Sequence, residues 1–436
     1  MRSQPHSLVP RLARLALVAL AAGAMPPALL ARQDAPAPSA LPPAEPPAPS
    51  APAQAEVTDI SDLLESVRKA ANAPSLVAAV VRGNPDGPAR VVALGAAGTC
   101  RNGDPNRPVT TDSLFHIGSC TKAITATMIA TLVDEGLLSF DLTIAQAMPD
   151  LAPPVLDDYK PVTLAQLLGH RGGINAFTDG RDSYYASLAQ RLAGPERGQR
   201  ADALSTFLSL APVVKPGTEM RYSNAGYTVA AVFAERAADQ SWEDLVRLRV
   251  FEPLGMTSAR FGWPATPANP EQPWGHQPGS SMPLPPDHEY KLPAWLAPAG
   301  DISCSIKDFA LFAGAHLQGI QGRPTPLKIA PATFARLHAD VAGDQLGYAM
   351  GWGIGKDRSG RIVHAHDGSA GTFYSRMLLI PSADTAFVVA TNTGNGVQAV
   401  SRATDLLIRQ FAPAPATPAA PAPATPSDQP TKPEPD

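Results

Sequence analysis

The segment Phe115-His-Ile-Gly-Ser-Cys-Thr-Lys-Ala-Ile-Thr-Ala-Thr-Met-Ile-Ala130 carries a serine and a lysine three residues apart. Apolar residues at helical spacing follow Lys122, which predicts a helix that begins near Ser119 and holds both side chains on one face. A serine hydroxyl becomes a nucleophile when a neighbouring base takes its proton, and a partly desolvated lysine can be that base. The pair alone also fits an ordinary helix start, with a capping serine and a solvated lysine.

Strand and helix patterns around this segment predict a mixed fold. The predicted strands are residues 76–82, 89–98, 361–366, 372–381 and 385–391, of which the first two form a hairpin. The predicted helices include residues 60–70, 163–168, 201–210, 225–238, 242–250 and 397–410. Because strands occur at both ends and helices in the middle, we expect an α+β fold with one sheet built from both chain ends and an inserted, mostly helical lobe. Ser119 lies where the chain leaves the sheet for that lobe, so a cleft there is a natural substrate site.

The two ends of the chain differ from its middle in composition. Residues 1–24 place arginines before a short apolar run and end in Ala-Gly-Ala, which predicts a signal peptide and a periplasmic or secreted protein. The alternative is an N-terminal anchor, but the run is short and Pro26-Pro27 follows it, so we expect no stable membrane span after signal removal. Residues 25–55 and 412–436 are rich in proline and alanine, which predicts a linker and a disordered tail around a domain at 56–411.

Charge and cysteine content exclude several classes of protein. The formal net charge is −4 and no basic run follows the signal region, so we expect no nucleic-acid partner. Three cysteines are too few for a disulfide framework, and Cys120 fits a small buried core residue better than a catalytic thiol. His364-Ala-His366 lacks a third metal ligand nearby, so the sequence predicts neither a metal nor another cofactor.

Two further motifs carry groups that a serine nucleophile would use. Tyr222-Ser-Asn224 stands in a turn before a predicted helix, where a tyrosine ordinarily packs and an asparagine ordinarily caps. Beside a lysine, a tyrosine of lowered pKa can relay a proton to a leaving group, and the asparagine amide can contact both the lysine and a substrate carbonyl. In His366-Asp-Gly368, followed by Ser369, the glycine allows a substrate backbone to approach a strand edge, where an exposed N–H can join an oxyanion hole.

The ordered set Ser119-x-x-Lys122, Tyr222-Ser-Asn224 and His366-Asp-Gly368 resembles the serine β-lactamase and penicillin-binding protein superfamily. It is most similar to the class C-like branch, which includes esterases and D-aminopeptidases. The resemblance implies an antiparallel sheet flanked by helices, with Ser119 acylated by the carbonyl of an ester, amide or β-lactam, or of a peptidoglycan-derived peptide. Lys122 and Tyr222 would move protons, and Asn224, His366, Gly368 and Ser369 would bind substrate. The backbone N–H groups of Ser119 and Ser369 would form the oxyanion hole.

One departure from the superfamily pattern bears on the substrate. The third motif of β-lactamases and penicillin-binding proteins usually begins with a lysine that holds a substrate carboxylate, and this chain has His366 there. Because histidine is mostly neutral at pH 7 and Asp367 would repel carboxylates, this departure favours esterase or D-amino-acid amidase activity, with D-aminopeptidase, carboxypeptidase and β-lactamase activity as the alternatives. Two other interpretations are a non-catalytic penicillin-binding-like module for the cell wall or a partner, and an envelope protein whose tails act as spacers.

Overall fold

The computed structural model describes residues 56–414 except 152–154, 179–186, 189, 281 and 345. The predicted signal peptide, the whole of the linker and nearly all of the tail lie outside the described residues. Within the part of the chain that the structure describes, no helix is both long and apolar enough to cross a membrane.

Eleven strands in the described residues form two sheets. They are β1 Thr58–Asp59, β2 Ser75–Arg82, β3 Arg90–Gly98, β4 Leu114–His116, β5 Arg260–Phe261, β6 Ile302–Ser305, β7 Gly347–Tyr348, β8 Gly353–Lys356, β9 Ile362–Ser369, β10 Tyr374–Ile380 and β11 Thr385–Thr391. The large sheet has the order β1-β3-β2-β11-β10-β9-β8-β7, and the small one has the order β4-β6-β5. Neighbouring strands are antiparallel except for the short parallel pair of β1 and β3.

The large sheet confirms that both chain ends contribute strands. β2 and β3 form the predicted hairpin, and β2 pairs with β11 from the other end of the chain. Both of these central strands are almost continuous apolar runs, because helices cover the sheet on both faces. β10 pairs with β11 in a register that joins Tyr374 to Thr391 and Ile380 to Thr385. The other edge of β10 pairs with β9, so the sheet continues from β11 to β9.

Twelve α-helices lie wholly within the described part of the chain and pack on the sheet or in the inserted lobe. They are α1 Ser61–Ala70, α2 Thr121–Asp134, α3 Ile144–Ala147, α4 Leu164–Leu168, α5 Glu196–Phe207, α6 Asn224–Ala238, α7 Trp242–Val246, α8 Glu252–Leu254, α9 Ala297–Gly300, α10 Ile306–Ile320, α11 Pro331–Leu337 and α12 Val397–Phe411. α1 and α12 share one buried apolar cluster with one face of the sheet. α2, α10 and the helices of the inserted lobe form the larger cluster on the other face.

Two helix boundaries differ from the prediction. The helix predicted for 201–210 is α5, which begins earlier, at Glu196 directly after Pro195, and ends at Phe207. The helix predicted for 242–250 is regular only as far as Val246, and Arg247–Phe251 continues it as a π-helical turn. Pro253 follows and has no N–H to close the next i→i−4 hydrogen bond, so the regular hydrogen-bond ladder is interrupted there.

A sharp turn between β4 and α2 places Ser119 beside the large sheet. Gly118 begins a short 3-10 turn, Gly118–Cys120, and its φ of +51° lies in the left-handed region that favours glycine. A Cβ atom on Gly118 would stand 2.6 Å from the backbone nitrogen of Ser369, so the two backbones touch. This close approach brings the start of α2 to the end of β9.

Candidate active site

The Lys122 ammonium group lies fully buried among three oxygen atoms. Its Nζ atom is 3.1 Å from Ser119 Oγ, 2.8 Å from Asn224 Oδ1 and 2.7 Å from the Ala299 carbonyl oxygen. Burial lowers the pKa of Lys122 well below its ordinary value, which favours the neutral amine. A neutral amine has two N–H bonds and one lone pair. Protonated Nζ donates to all three oxygens. In the neutral amine the two carbonyl oxygens can accept the two N–H groups, and the lone pair can then accept the Ser119 proton.

Helix α2 buries Lys122 because it runs between the sheet and the inserted lobe. Its side chains are buried on every face from Thr121 to Leu132, which is the pattern of a central helix rather than a surface one. Thr125 Oγ1 donates to the Pro298 carbonyl at 2.7 Å and accepts from Trp242 Nε1 at 3.0 Å. These bonds fix α2 against the segment that supplies the Ala299 carbonyl.

The turn before α6 presents Asn224 to the lysine. Ser223 caps the helix, with its Oγ accepting from the Gly226 N–H at 3.1 Å and donating to the Asn175 carbonyl at 2.7 Å. The Asn224 Nδ2 group donates to the Phe177 carbonyl at 3.0 Å, which orients Oδ1 toward Lys122. The predicted contact between the asparagine and the lysine is present, and one Nδ2 hydrogen is left for a substrate carbonyl.

The prediction of a lowered tyrosine pKa is wrong. Lys122 Nζ lies 4.7 Å from the centroid of the Tyr222 ring, over its face. Burial raises the pKa of Tyr222, and a hydrogen bond to the Ser119 side chain offsets this only in part. Tyr222 is therefore a neutral phenol that touches the serine.

His366 and Gly368 lie deeper than predicted. His366 is 8% exposed, its Nε2 is 2.8 Å from the Tyr348 hydroxyl, and its Nδ1 is 2.7 Å from the Asp367 carbonyl. A Cβ atom on Gly368 would come within 1.8 Å of the Ile117 carbonyl oxygen, so this glycine serves the packing of β9 against the turn at Gly118. Direct contact of either residue with a substrate has no support from this geometry.

The expectation that Asp367 repels substrate carboxylates is also wrong. Alternation along β9 turns Asp367 to the opposite face from His366. There both oxygens of its carboxylate pair with Arg376, at 2.6 and 2.7 Å, and one also accepts from the Tyr374 hydroxyl at 2.8 Å. The charge is neutralised away from Ser119.

A cavity of about 610 Å³ opens over Ser119. Asn224 and Ser369 also line it, so the structure brings three of the predicted site residues to one space and places Lys122 and Tyr222 directly behind Ser119. The other lining residues are Phe177, Thr178, Glu289, Tyr290, Lys291, Leu292, Leu296, Ala299, Gly300, Ala370 and Gly371.

Several groups at this site were missed by the sequence prediction. The carbonyls of Ala299 and Phe177 orient Lys122 and Asn224, and a backbone carbonyl has no sequence signature. His170 accepts from the Ser223 N–H at 3.1 Å, and its position in Leu167-Leu-Gly-His was the available signal. Tyr290 reaches the cavity from an irregular segment, and a Cβ atom on Gly371 would stand 2.0 Å from its hydroxyl oxygen.

The Cys120 thiol is unreactive in this setting. It is fully buried, and burial raises its pKa to about 12, which confirms the predicted core role. Cys100 and Cys304 are also buried and free. Within the described ranges, no group of three or more histidine, cysteine, aspartate or glutamate side chains is arranged to hold a metal ion.

Comparison with curated proteins relates the chain to penicillin-binding proteins and esterases. Penicillin-binding protein 4 of Amycolatopsis lactamdurans is 30% identical over 324 residues, which cover 68% of this chain and 76% of that protein. Esterase EstB of Burkholderia gladioli is 32% identical over 196 residues, covering 42% of this chain and 50% of the esterase. The unguisins hydrolase of Aspergillus campestris is 29% identical, and the match covers 66% of this chain and 54% of that hydrolase. The chain thus spans only about half the length of the last two.

Solved structures and a family model agree with these relatives. The class C β-lactamase from Rhodobacter sphaeroides has a TM-score of 0.61 at 21% identity, covering 80% of this chain and 98% of the lactamase. The D-amino acid amidase from Ochrobactrum anthropi SV3 has the same score and identity and is covered over 99% of its length, with 80% of this chain. Both show the predicted fold. The model of the β-lactamase family matches residues 60–410. The chain therefore belongs to the β-lactamase family and is a hydrolase of that family.

Proposed function

We propose that this protein is an exported serine hydrolase that forms an acyl-enzyme on Ser119 and cleaves ester or amide bonds. The observation that carries the proposal is the position of Lys122, whose fully buried Nζ is 3.1 Å from Ser119 Oγ with its other partners on Asn224 and Ala299. A non-catalytic binding module has no use for a buried base directed at a serine hydroxyl.

The proposed acylation uses this arrangement directly. Lys122 Nζ takes the Ser119 proton as Oγ bonds to the substrate carbonyl carbon, and the backbone N–H groups of Ser119 and Ser369 stabilise the resulting oxyanion. The intermediate then breaks its bond to the alcohol or amine. That group leaves with the proton that Lys122 held, relayed by the neutral Tyr222 hydroxyl. Water attacks the acyl carbon in turn, which returns the proton to Ser119 and releases a carboxylic acid.

The cavity favours substrates without a carboxylate beside the scissile bond. Phe177, Leu292 and Leu296 give it an apolar wall. Among the lining residues that the structure describes, Lys291 is the one cation, and it is exposed. A β-lactam, or a peptidoglycan-derived peptide with a free carboxylate, would find no buried cation near Ser369. We therefore rank esters and neutral amides above them, in keeping with the names of the relatives esterase EstB and D-amino acid amidase.

Export and domain organisation complete the proposal. Residues 1–24 would be removed as a signal peptide, 25–55 and 412–436 would flank the catalytic domain at 56–411, and the protein would act in the periplasm or outside the cell. The intact mass of protein recovered from the periplasm or medium tests this. A mass that begins near residue 25 supports it, and a mass that includes Met1 contradicts it.

Intact-mass spectrometry after treatment with a fluorophosphonate tests the nucleophile. We expect one adduct on the wild type and on Ser66→Ala, which changes an exposed serine on α1, and none on Ser119→Ala. A wild type without an adduct, or an adduct that survives Ser119→Ala, would overturn the acyl-enzyme proposal. Turnover of p-nitrophenyl esters and nitrocefin then ranks the substrates. Faster turnover of nitrocefin would reverse our order.

A further inference from the structure

Four buried aromatic rings, those of His170, Tyr227, Tyr348 and His366, pack together next to Tyr222. The ring of His170 lies 4.2 Å from Tyr222, 5.3 Å from Tyr227 and 4.6 Å from Tyr348, measured between centroids. Tyr348 in turn meets His366 edge-on at 5.8 Å. The proposed chemistry gives no role to His170, which is 1% exposed.

His170 holds the backbone on both sides of Tyr222. Its carbonyl oxygen accepts from the Arg221 N–H at 2.7 Å, and its Nδ1 accepts from the Ser223 N–H at 3.1 Å. The two hydrogen bonds enclose Tyr222, whose side chain is hydrogen-bonded to Ser119. The φ of His170 is +58°, in the left-handed region that few residues other than glycine, asparagine, aspartate and histidine adopt.

The hydrogen bonds fix the protonation state of this ring. Because Nδ1 accepts from Ser223, the ring hydrogen is on Nε2, which is buried with no hydrogen-bond partner among the described residues. Burial and the nearby Lys122 lower the pKa of His170 well below its ordinary value. The neutral ring is therefore a fixed acceptor for the Ser223 N–H, and a proton on Nδ1 would break that bond.

The same reasoning connects the third sequence motif to the second. The Asp367 carbonyl can only accept, so His366 Nδ1 donates to it, and Nε2 must accept from the Tyr348 hydroxyl at 2.8 Å. Tyr348 is held by this bond while its ring packs on His170. His366 thus contacts the catalytic turn through two rings, although it does not line the described part of the cavity.

We propose that His170 is a positioning residue that holds the Tyr222 hydroxyl against Ser119, and that His366 supports it through Tyr348. This inference rests on the proposed function, because a tyrosine must be placed only if it relays a proton. It assigns the third-motif histidine to the placement of the second motif rather than to substrate binding.

A pair of substitutions at one position tests the hydrogen bond. His170→Asn keeps an acceptor near Nδ1 and tolerates the left-handed backbone, whereas His170→Leu keeps the bulk and loses the acceptor. Against a p-nitrophenyl ester we expect kcat of His170→Asn within about threefold of wild type, and kcat of His170→Leu lower by up to about 100-fold at nearly unchanged KM. Equal losses in both variants, or full activity in His170→Leu, would overturn the inference.

Two further measurements separate the possible failures. Fluorophosphonate labelling of the wild type and of Ser119→Ala tests the proposed function without any change at His170. If His170→Leu does not fold, Tyr348→Phe takes its place, because it keeps the ring on His170 and removes only the hydroxyl bonded to His366. We expect its kcat to fall about three- to tenfold at constant KM, with thermal unfolding as the check on folding. An unchanged kcat would remove His366 from the proposal.

Discussion

The two walls of the cavity over Ser119 are built in opposite ways. On the helical wall, Lys122, Asn224 and Tyr222 converge on the serine, and each polar atom described there has a defined partner. On the wall formed by β9, His366 lies buried behind the surface and Asp367 is neutralised on the far side by Arg376. In the proposed reaction the helical wall supplies the side chains that move protons, and the strand wall supplies a backbone N–H group and the shape of the cavity.

Because the walls differ in this way, we expect different parts of the cavity to determine proton transfer and the choice of substrate. Proton transfer needs atoms fixed within hydrogen-bond distance of one another, which only the helical wall supplies. Substrate choice depends on what the strand wall and the mouth of the cavity offer, and in the described residues these give no buried cation near Ser369. The helical wall holds a lysine whose pKa burial lowers, and the strand wall offers no buried cation among the described residues. Both features fit the proposed enzyme for neutral esters or amides.

Replacing Lys122 by methionine should have the largest effect, because it removes the base from the helical wall. We expect kcat for an ester to fall about 10³–10⁴-fold. Lys122→Arg is the control that keeps a cation, and it should be as inactive as Lys122→Met because arginine cannot become a neutral base. Steady-state kinetics with thermal unfolding as a folding check provide the measurement. Activity in Lys122→Arg would mean that the site needs a charge and not a base.

Sequence spacing was enough to predict the contact of Ser119 with Lys122, the hairpin and the sheet built from both ends. These features depend on local periodicity and on motif order. The backbone atoms that complete the helical wall could not be predicted. The Ala299 carbonyl that binds Lys122 is 177 residues away in sequence, and a backbone carbonyl carries no side-chain signal. The pKa of Tyr222 was mispredicted for a related reason. Burial decides its direction, and burial is known only after the lobe has packed.

The strand wall was mispredicted although its pattern was visible. Alternation along β9 places His366 and Asp367 on opposite faces, but the sequence does not say which face meets the cavity. The partner that neutralises Asp367 is Arg376, set opposite it by the register of β9 with β10. Tertiary pairing therefore determined the electrostatics of this wall.

Acid should destabilise the protein through its buried histidines. Burial lowers the pKa of His366 and His364 from 6.5 to about 4, and that of His316 to about 3. The unfolded chain therefore binds more protons than the folded one below pH 6.5, so stability is full above that pH and falls as the pH drops toward 4. For one such histidine, the free energy of unfolding should fall by on the order of 3 kcal/mol between pH 7 and a pH below its folded pKa. Urea unfolding at pH 7 and pH 5 measures the slope.

The variant His366→Gln measures how much of this loss of stability in acid comes from His366 on the strand wall. We expect a smaller loss of stability between pH 7 and pH 5 in this variant than in the wild type. His288→Gln, at a partly exposed histidine, is the matched control and should change the slope less. Identical slopes for the wild type and His366→Gln would show that His366 is not held neutral by the fold.

His366→Lys restores the lysine usual in the third motif and asks whether the strand wall can be made to bind a carboxylate. We expect no gain in nitrocefin turnover, because the side chain at this position is buried against Tyr348 and away from the cavity. A lysine there should lower stability by about 2 kcal/mol. Ile362→Lys, at an exposed position of the same strand, is the control for adding a charge. A tenfold rise in nitrocefin kcat/KM would mean that position 366 does reach the substrate.

Tyr290→Ala should have the smallest effect, and it concerns only the mouth of the cavity. Tyr290 stacks on Trp263 with centroids 6.0 Å apart and lies against Gly371 beside the strand wall, distant in role from the base at Lys122. We expect KM for a bulky apolar ester to rise about fivefold, roughly 1 kcal/mol, with kcat nearly unchanged. Met282→Ala, at an exposed apolar residue of the same irregular segment, should leave both constants unchanged. Because Tyr290 is assigned to substrate recognition at the mouth of the cavity, a fall in kcat without a change in KM would contradict that assignment.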